Sequence, residues 1–142
     1  MVGGQVVDIQ SENSAIGLET LRSLHARKTG ALLRVSVRLG AILGGAGAAA
    51  LEALTVYGER IGIAFQVVDD ILDVEGSTEE LGKPAQSDLK KKKATYPAIL
   101  GIEASRREAA RLRDEAIAAV TDLGPRAWML PALADFIASR RS

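Results

Sequence analysis

The chain has 142 residues, 47% of them hydrophobic and 25% charged, enough apolar material for one globular domain with a real core. Eighteen basic and eighteen acidic side chains cancel, so no global field favours nucleic acid or an anionic membrane. The lack of cysteine excludes disulfide frameworks and thiolate metal sites, and a single histidine, His25, argues against a His-rich zinc or di-iron centre.

Ala, Leu, Glu, Arg and Lys dominate, aromatics are scarce, and no segment alternates in the manner of a strand. An all-α fold is therefore predicted, with helices at about 1–10, 18–46, 48–75, 95–122 and 127–140. Met1 opens directly onto "VGGQVVDIQ" without a capping residue, as if a helix were entered part-way along. An upstream portion is expected to be missing. The same segment shows no basic region followed by an apolar stretch, so no secretory signal is expected. Gln5 and Asp8 within it read as supporting hydrogen-bonding groups.

In the second predicted helix, Gly30 and Gly40 are expected to bend the chain or permit close packing. His25 reads as a structural or surface residue. Lys28 reads equally as a snorkelling lysine or a functional one, and Thr29 as a helix-softening residue that bonds back to a carbonyl. The longest uncharged apolar run, Leu39 to Leu51, is thirteen residues with four glycines, too short to span a bilayer. The expectation is a cytoplasmic protein without a membrane span.

The third predicted helix carries "FQVVDDILD" at 65–73. At about 100° per residue, Asp69, Asp70 and Asp73 fall within a sector of about 100° that also holds Gln66 and Gly62. Apolar residues occupy the rest of the circumference. Two carboxylates about 6 Å apart repel by about 2–3 kcal/mol at an effective dielectric of ~20, and the helix dipole opposes negative charge near a C-terminus. A raised pKa or a bound cation would lower that cost. Oxygen ligands with no His or Cys beside them suit a hard cation, Mg²⁺ above all, which keeps waters and bridges to phosphate. The alternative is a solvated acidic face; the apolar flanks and the glutamine at helical spacing favour the cation.

Residues 76–94, "GSTEELGKPAQSDLKKKKA", form the one long polar stretch. Nineteen residues exceed what a connection needs, so a functional loop is expected. Lys90, Lys91 and Lys92 read as a solvated charge cluster. Lys83, in a tight "LGKP" turn, suits a phosphate contact and a plain turn lysine equally well. "Gly124-Pro125" ends the fourth helix, and Pro131 lies near the start of the fifth. Trp128 reads as core or interface filler. Arg140 and Arg141 form a basic tail that could reach a diphosphate, although a disordered end is the expected state.

With these residues in view, the chain resembles the trans-isoprenyl diphosphate synthases, also called polyprenyl synthetases, of the short-chain farnesyl or geranylgeranyl type. "FQVVDDILD" followed by "GK" at 82–83 and "KATYP" at 93–97 is similar to the second aspartate-rich region of that family. "GGQVVDI" at 3–9 and "HARKTGALL" at 25–33 resemble two further blocks in the same order. The resemblance implies that residues 1–142 are the C-terminal half of the isoprenoid synthase helical bundle. It also implies a Mg²⁺-dependent prenyltransferase that joins isopentenyl diphosphate to an allylic diphosphate. By position, Asp69, Asp70 and Asp73 would hold Mg²⁺ on the allylic diphosphate, and Lys83 and Lys93 would contact diphosphate oxygens. Lys28, the Thr29 carbonyl and Gln66 would surround the reacting allylic end.

The family's first aspartate-rich motif is absent from these residues, so the resemblance implies a chain that is inactive alone. Pairing with a missing N-terminal half, or a homodimer, is expected. A non-catalytic subunit that pairs with a full-length synthase is the alternative, and retention of Asp69, Asp70, Asp73, Lys28 and Gln66 argues against it. A class I terpene cyclase would need an N/D-x-x-S/T-x-x-x-E segment after the aspartates, and none is present.

Overall fold

The computed structural model describes residue 6, residues 16–80 (side chains to residue 76) and residues 94–140. Among these residues every regular element is helical. The order is α1 (Leu18–His25), a π-helical turn (Ala26–Gly30), α2 (Ala31–Leu43), α3 (Ala48–Glu80), α4 (Tyr96–Leu100), α5 (Ile102–Val120) and α6 (Met129–Ser139). Short 3₁₀ turns at Thr121–Leu123 and Pro125–Ala127 lead into α6.

α3 is the axis of the fold. Its buried positions Tyr57, Ile61, Ala64, Val68 and Ile71 recur at helical spacing, which gives a stripe that faces neighbours. On α5, Ala109, Leu112, Ala116 and Val120 do the same, and the two stripes close on each other with Leu21, Ala134 and Ile137 from α1 and α6. Each fully buried Leu, Ile or Val contributes about 1.5–3 kcal/mol. The Tyr57 hydroxyl donates to the Leu130 carbonyl at 2.8 Å and so fixes the start of α6 against the axis. Arg22 reaches Glu108 at 2.8 Å and ties α1 to α5.

The second predicted helix is broken in register by the π turn. Gly30 has a packing role: a Cβ on Gly62 would stand 2.6 Å from the Gly30 Cα, so the turn lies directly on α3. Gly40 does not, since a Cβ there would meet nothing within 4 Å. The fourth predicted helix is two helices. Gly101, with φ of +83°, separates them, and Thr95 caps α4 by accepting from the Ala98 N–H at 3.3 Å, a contact worth about 1 kcal/mol. The third helix runs on to Glu80, into the stretch expected as loop. Except for Val6, the helix expected over 1–10 lies outside the described residues.

Two apolar faces remain exposed. On α2 they are Leu32, Val35, Leu39, Ile42 and Leu43, and around α6 they are Trp128, Met129, Leu133 and Phe136. Trp128 is therefore not core. No helix of the described residues is long and apolar enough to cross a membrane.

Candidate functional site

The three aspartates of α3 occupy three different environments. Asp73 is exposed. Asp69 is half-buried; its Oδ2 accepts from Gln66 Nε2 at 3.1 Å and its Oδ1 pairs with the Arg140 guanidinium. Asp70 is only 6% exposed. Its Oδ2 accepts the Tyr96 backbone N–H at 2.9 Å and lies 4.0 Å from His25 Nε2. Gln66, one turn before Asp70, thus braces the neighbouring carboxylate rather than standing apart from the ridge.

Tyr96 is fully buried at the start of α4, and burial pushes its hydroxyl up to about 12 while the Arg22 guanidinium pulls weakly the other way. Its backbone N–H has no partner within the helix because it lies at a helix N-terminus, so the buried carboxylate that accepts it also meets the positive end of a dipole. That explains how Asp70 is tolerated inside.

Lys28 and Thr29, both half-buried, sit in the π turn. Single π turns are frequent at functional sites. The turn rests on the acidic face: Gly30 lies on Gly62, which shares a sector with Asp69 and Asp73, and His25 at the other end meets Asp70. Predicted residues Lys28, Thr29, Gln66, Asp69, Asp70 and Asp73 are thereby carried on two apposed elements. Lys83, Lys93, Gln5, Asp8 and Arg141 lie outside the described residues.

Two residues gain a place that sequence reasoning withheld. Arg140 is not a disordered tail: it pairs with Asp69, donates to the Phe65 carbonyl at 3.4 Å, and lies 4.1 Å from the centre of the Phe65 ring. Such stacking adds about 0.5–2 kcal/mol. His25 is buried against the site. For Arg140 the only sequence signal was charge near the C-terminus; for His25 it was a lone histidine three residues before Lys28.

Among the described residues no group of three or more His, Cys, Asp or Glu side chains encloses a metal position. The donor set nonetheless fits Mg²⁺ in part. Asp69 and Asp73 stand one turn apart on one side of α3, their oxygens are hard ligands, and Mg²⁺ needs only one or two carboxylates when waters and phosphates supply the rest. Asp70 fits less well, since it is buried and one of its oxygens accepts from the Tyr96 N–H inside the fold. A separate hollow of about 790 Å³, lined by Val68, Ile71, Leu72, Glu75, Arg106 and Arg140 among others, opens on another face of α3. Arg140 lines this hollow and also pairs with Asp69 on the ridge.

A family model for polyprenyl synthetases matches residues 1–122. The chain belongs to the polyprenyl synthetase family. It is 46% identical to the farnesyl diphosphate synthase of Escherichia coli over 144 residues, covering 99% of this chain and 48% of that one. It is 50% identical over 142 residues to a chloroplastic geranylgeranyl pyrophosphate synthase of Catharanthus roseus, covering 99% of this chain and 40% of that one. Among solved structures, an FPP/GFPP synthase of Zymomonas mobilis superposes with a TM-score of 0.81 at 36% identity, covering 96% of this chain and 45% of that one. A geranyltransferase of Helicobacter pylori complexed with magnesium and isoprenyl diphosphate superposes with a TM-score of 0.74 at 31% identity, with the same coverage of each chain. This polyprenyl synthetase chain therefore has the all-α fold of its neighbours and spans less than half the length of these relatives.

Proposed function

We propose that residues 1–142 form the C-terminal part of the catalytic bundle of a Mg²⁺-dependent prenyltransferase. The reaction joins isopentenyl diphosphate to an allylic diphosphate, as in farnesyl and geranylgeranyl diphosphate synthases. The observation that carries this reading is the apposition of the α3 ridge, with Asp69 and Asp73 outward, and the π turn that bears Lys28 and Thr29.

Mg²⁺, when bound, supplies positive charge to a diphosphate leaving group. Asp69 and Asp73 would hold it on the outer side of α3, while Asp70, tied to Tyr96, keeps the ridge in register. The Lys28 ammonium would balance further phosphate charge as a point cation. Gln66 and the Thr29 carbonyl would turn dipoles, not nucleophiles, toward the allylic carbon as the C–O bond breaks. The double bond of isopentenyl diphosphate then attacks, and a proton is lost from the adduct. Lys83 and Lys93 are proposed as further diphosphate contacts.

The exposed apolar faces of α2 and α6, together with coverage of less than half of the relatives' length, support pairing with a complementary helical half. The isolated chain is then expected to be inactive. A condensation assay with isopentenyl and dimethylallyl diphosphates tests this. No turnover is expected from the chain alone, and turnover lost on Asp69→Asn is expected once a complementary half is supplied. Turnover by the isolated chain would overturn the account of its incompleteness.

A further inference from the structure

We propose that His25 is a positioning residue that locks the π turn onto the acidic ridge through Asp70. The inference rests on the function proposed above and concerns how its two halves keep a common register.

The imidazole of His25 is 2% exposed and ends α1 where the π turn begins. Its Nε2 stands 4.0 Å from Asp70 Oδ2, a close approach beyond direct hydrogen-bond length. Its ring lies 5.6 Å from the Tyr96 ring, tilted by 33°. The same Asp70 oxygen takes the Tyr96 N–H at 2.9 Å. The end of α1, the middle of α3 and the start of α4 therefore converge on one buried carboxylate oxygen.

A π turn is rare and holds an extra residue relative to α-helical register, so contacts at its two ends favour it over a regular helix. One end is fixed by Gly30 on Gly62. His25 fixes the other. Gly62 and Asp70 are eight residues apart, about 12 Å along α3, so the turn is pinned lengthwise along the face that carries Gln66, Asp69 and Asp73. Release of the His25 end lets the turn relax toward α-helical register and moves Lys28 and Thr29 by one position relative to the ridge. Burial of the imidazole among helices would serve packing alone equally well, but packing does not require an Asp partner at this end.

His25 is the only histidine, so its imidazole gives one resolved NMR signal in the 142-residue chain. Asp70→Asn is expected to move that signal and the Lys28 and Thr29 amide signals together. In a His25→Phe background, which keeps the ring stack, the Lys28 and Thr29 response to Asp70→Asn is expected to vanish. His25→Gln, which keeps an N–H near the Nε2 position, is expected to restore it. Mg²⁺-dependent affinity for inorganic pyrophosphate should fall about tenfold in His25→Phe, the low end for residues that orient a metal site from behind its ligands, since Asp70 keeps the ridge in register, and should stay within about twofold in His25→Gln. An imidazole unmoved by Asp70→Asn overturns the proposal, and that measurement needs no His25 variant to fold. Equal responses of Lys28 and Thr29 with and without His25 overturn it as well. A wild-type chain that binds no Mg²⁺-pyrophosphate sinks the diphosphate reading, while the coupling from Asp70 to the π turn is still decided by the resonances.

Discussion

Arg140 places its guanidinium on Asp69 and over the ring of Phe65, 71 residues away in sequence from the carboxylate it neutralises. One of the two carboxylates proposed to hold Mg²⁺ thus carries a built-in counter-cation. On that proposal Arg140 and Mg²⁺ would compete for the same Asp69 oxygen. Arg140→Gln is therefore expected to tighten binding of Mg²⁺ alone by up to about fivefold, given the worth of a partly exposed ion pair. Calorimetric titration of Mg²⁺ into the two chains checks this. Weaker binding in the variant would mean that Arg140 only holds the ridge in shape.

The contact of Gly30 with Gly62 permits no side chain. A Cβ at Gly62 would stand 2.6 Å from backbone, and backbone cannot swing aside as a side-chain tip can. Gly62→Ala is expected to destabilise the fold by about 1–3 kcal/mol. Gly40→Ala, in open space within α2, is expected to stabilise by about 0.5–1 kcal/mol. Urea unfolding of both variants reads the two signs in one experiment.

Alkali should unfold the domain before its arginines lose charge. Burial raises both Tyr57 and Tyr96 from 10.0 to about 12. The unfolded chain ionises near pH 10 while the folded one keeps both protons. Stability is thus fully present below pH 10 and falls as pH rises through about 12, by about 2–3 kcal/mol per tyrosine. Tyr57→Phe, which also loses the bond to Leu130, is expected to flatten that limb in thermal melts between pH 9 and 12.

The acid limb has a different origin. Hydrogen bonds from Arg111, with Arg22 adding to them, hold the Glu108 carboxyl below its ordinary value. A depressed carboxyl stabilises above its unfolded pKa, and the contribution disappears as pH falls through the folded one. Glu108→Gln is expected to lower the melting temperature at pH 7 and to lose most of that deficit near pH 3. An equal deficit at both values would assign the effect to packing.

The long helix and its acidic face were legible because the apolar positions from Tyr57 to Ile71 repeat at a helical period that nothing interrupts. The break at Gly101 was not, since strong helix formers flank it and only the positive φ reveals the cap. The π turn left no mark in composition, and the residues that Gly30 and His25 meet at its two ends both sit on α3, far away in sequence. The ridge itself read as three equivalent acids. Asp70 differs from Asp69 only because the Tyr96 N–H, 26 residues on, points at it, and Asp69 differs from Asp73 only because the chain end returns with Arg140. Lys83 and Lys93 still rest on the family resemblance alone.

The outward carboxylates of α3 are best tested by following inorganic pyrophosphate by ³¹P NMR as Mg²⁺ is added to the 142-residue chain, to Asp69→Asn/Asp73→Asn, and to Asp122→Asn as an exposed control. The wild type and the control are expected to bind pyrophosphate only when Mg²⁺ is present, within about twofold of each other. The double variant is expected to bind at least about tenfold more weakly. Equal affinity in all three chains would contradict the account and leave the ridge a solvated acidic surface.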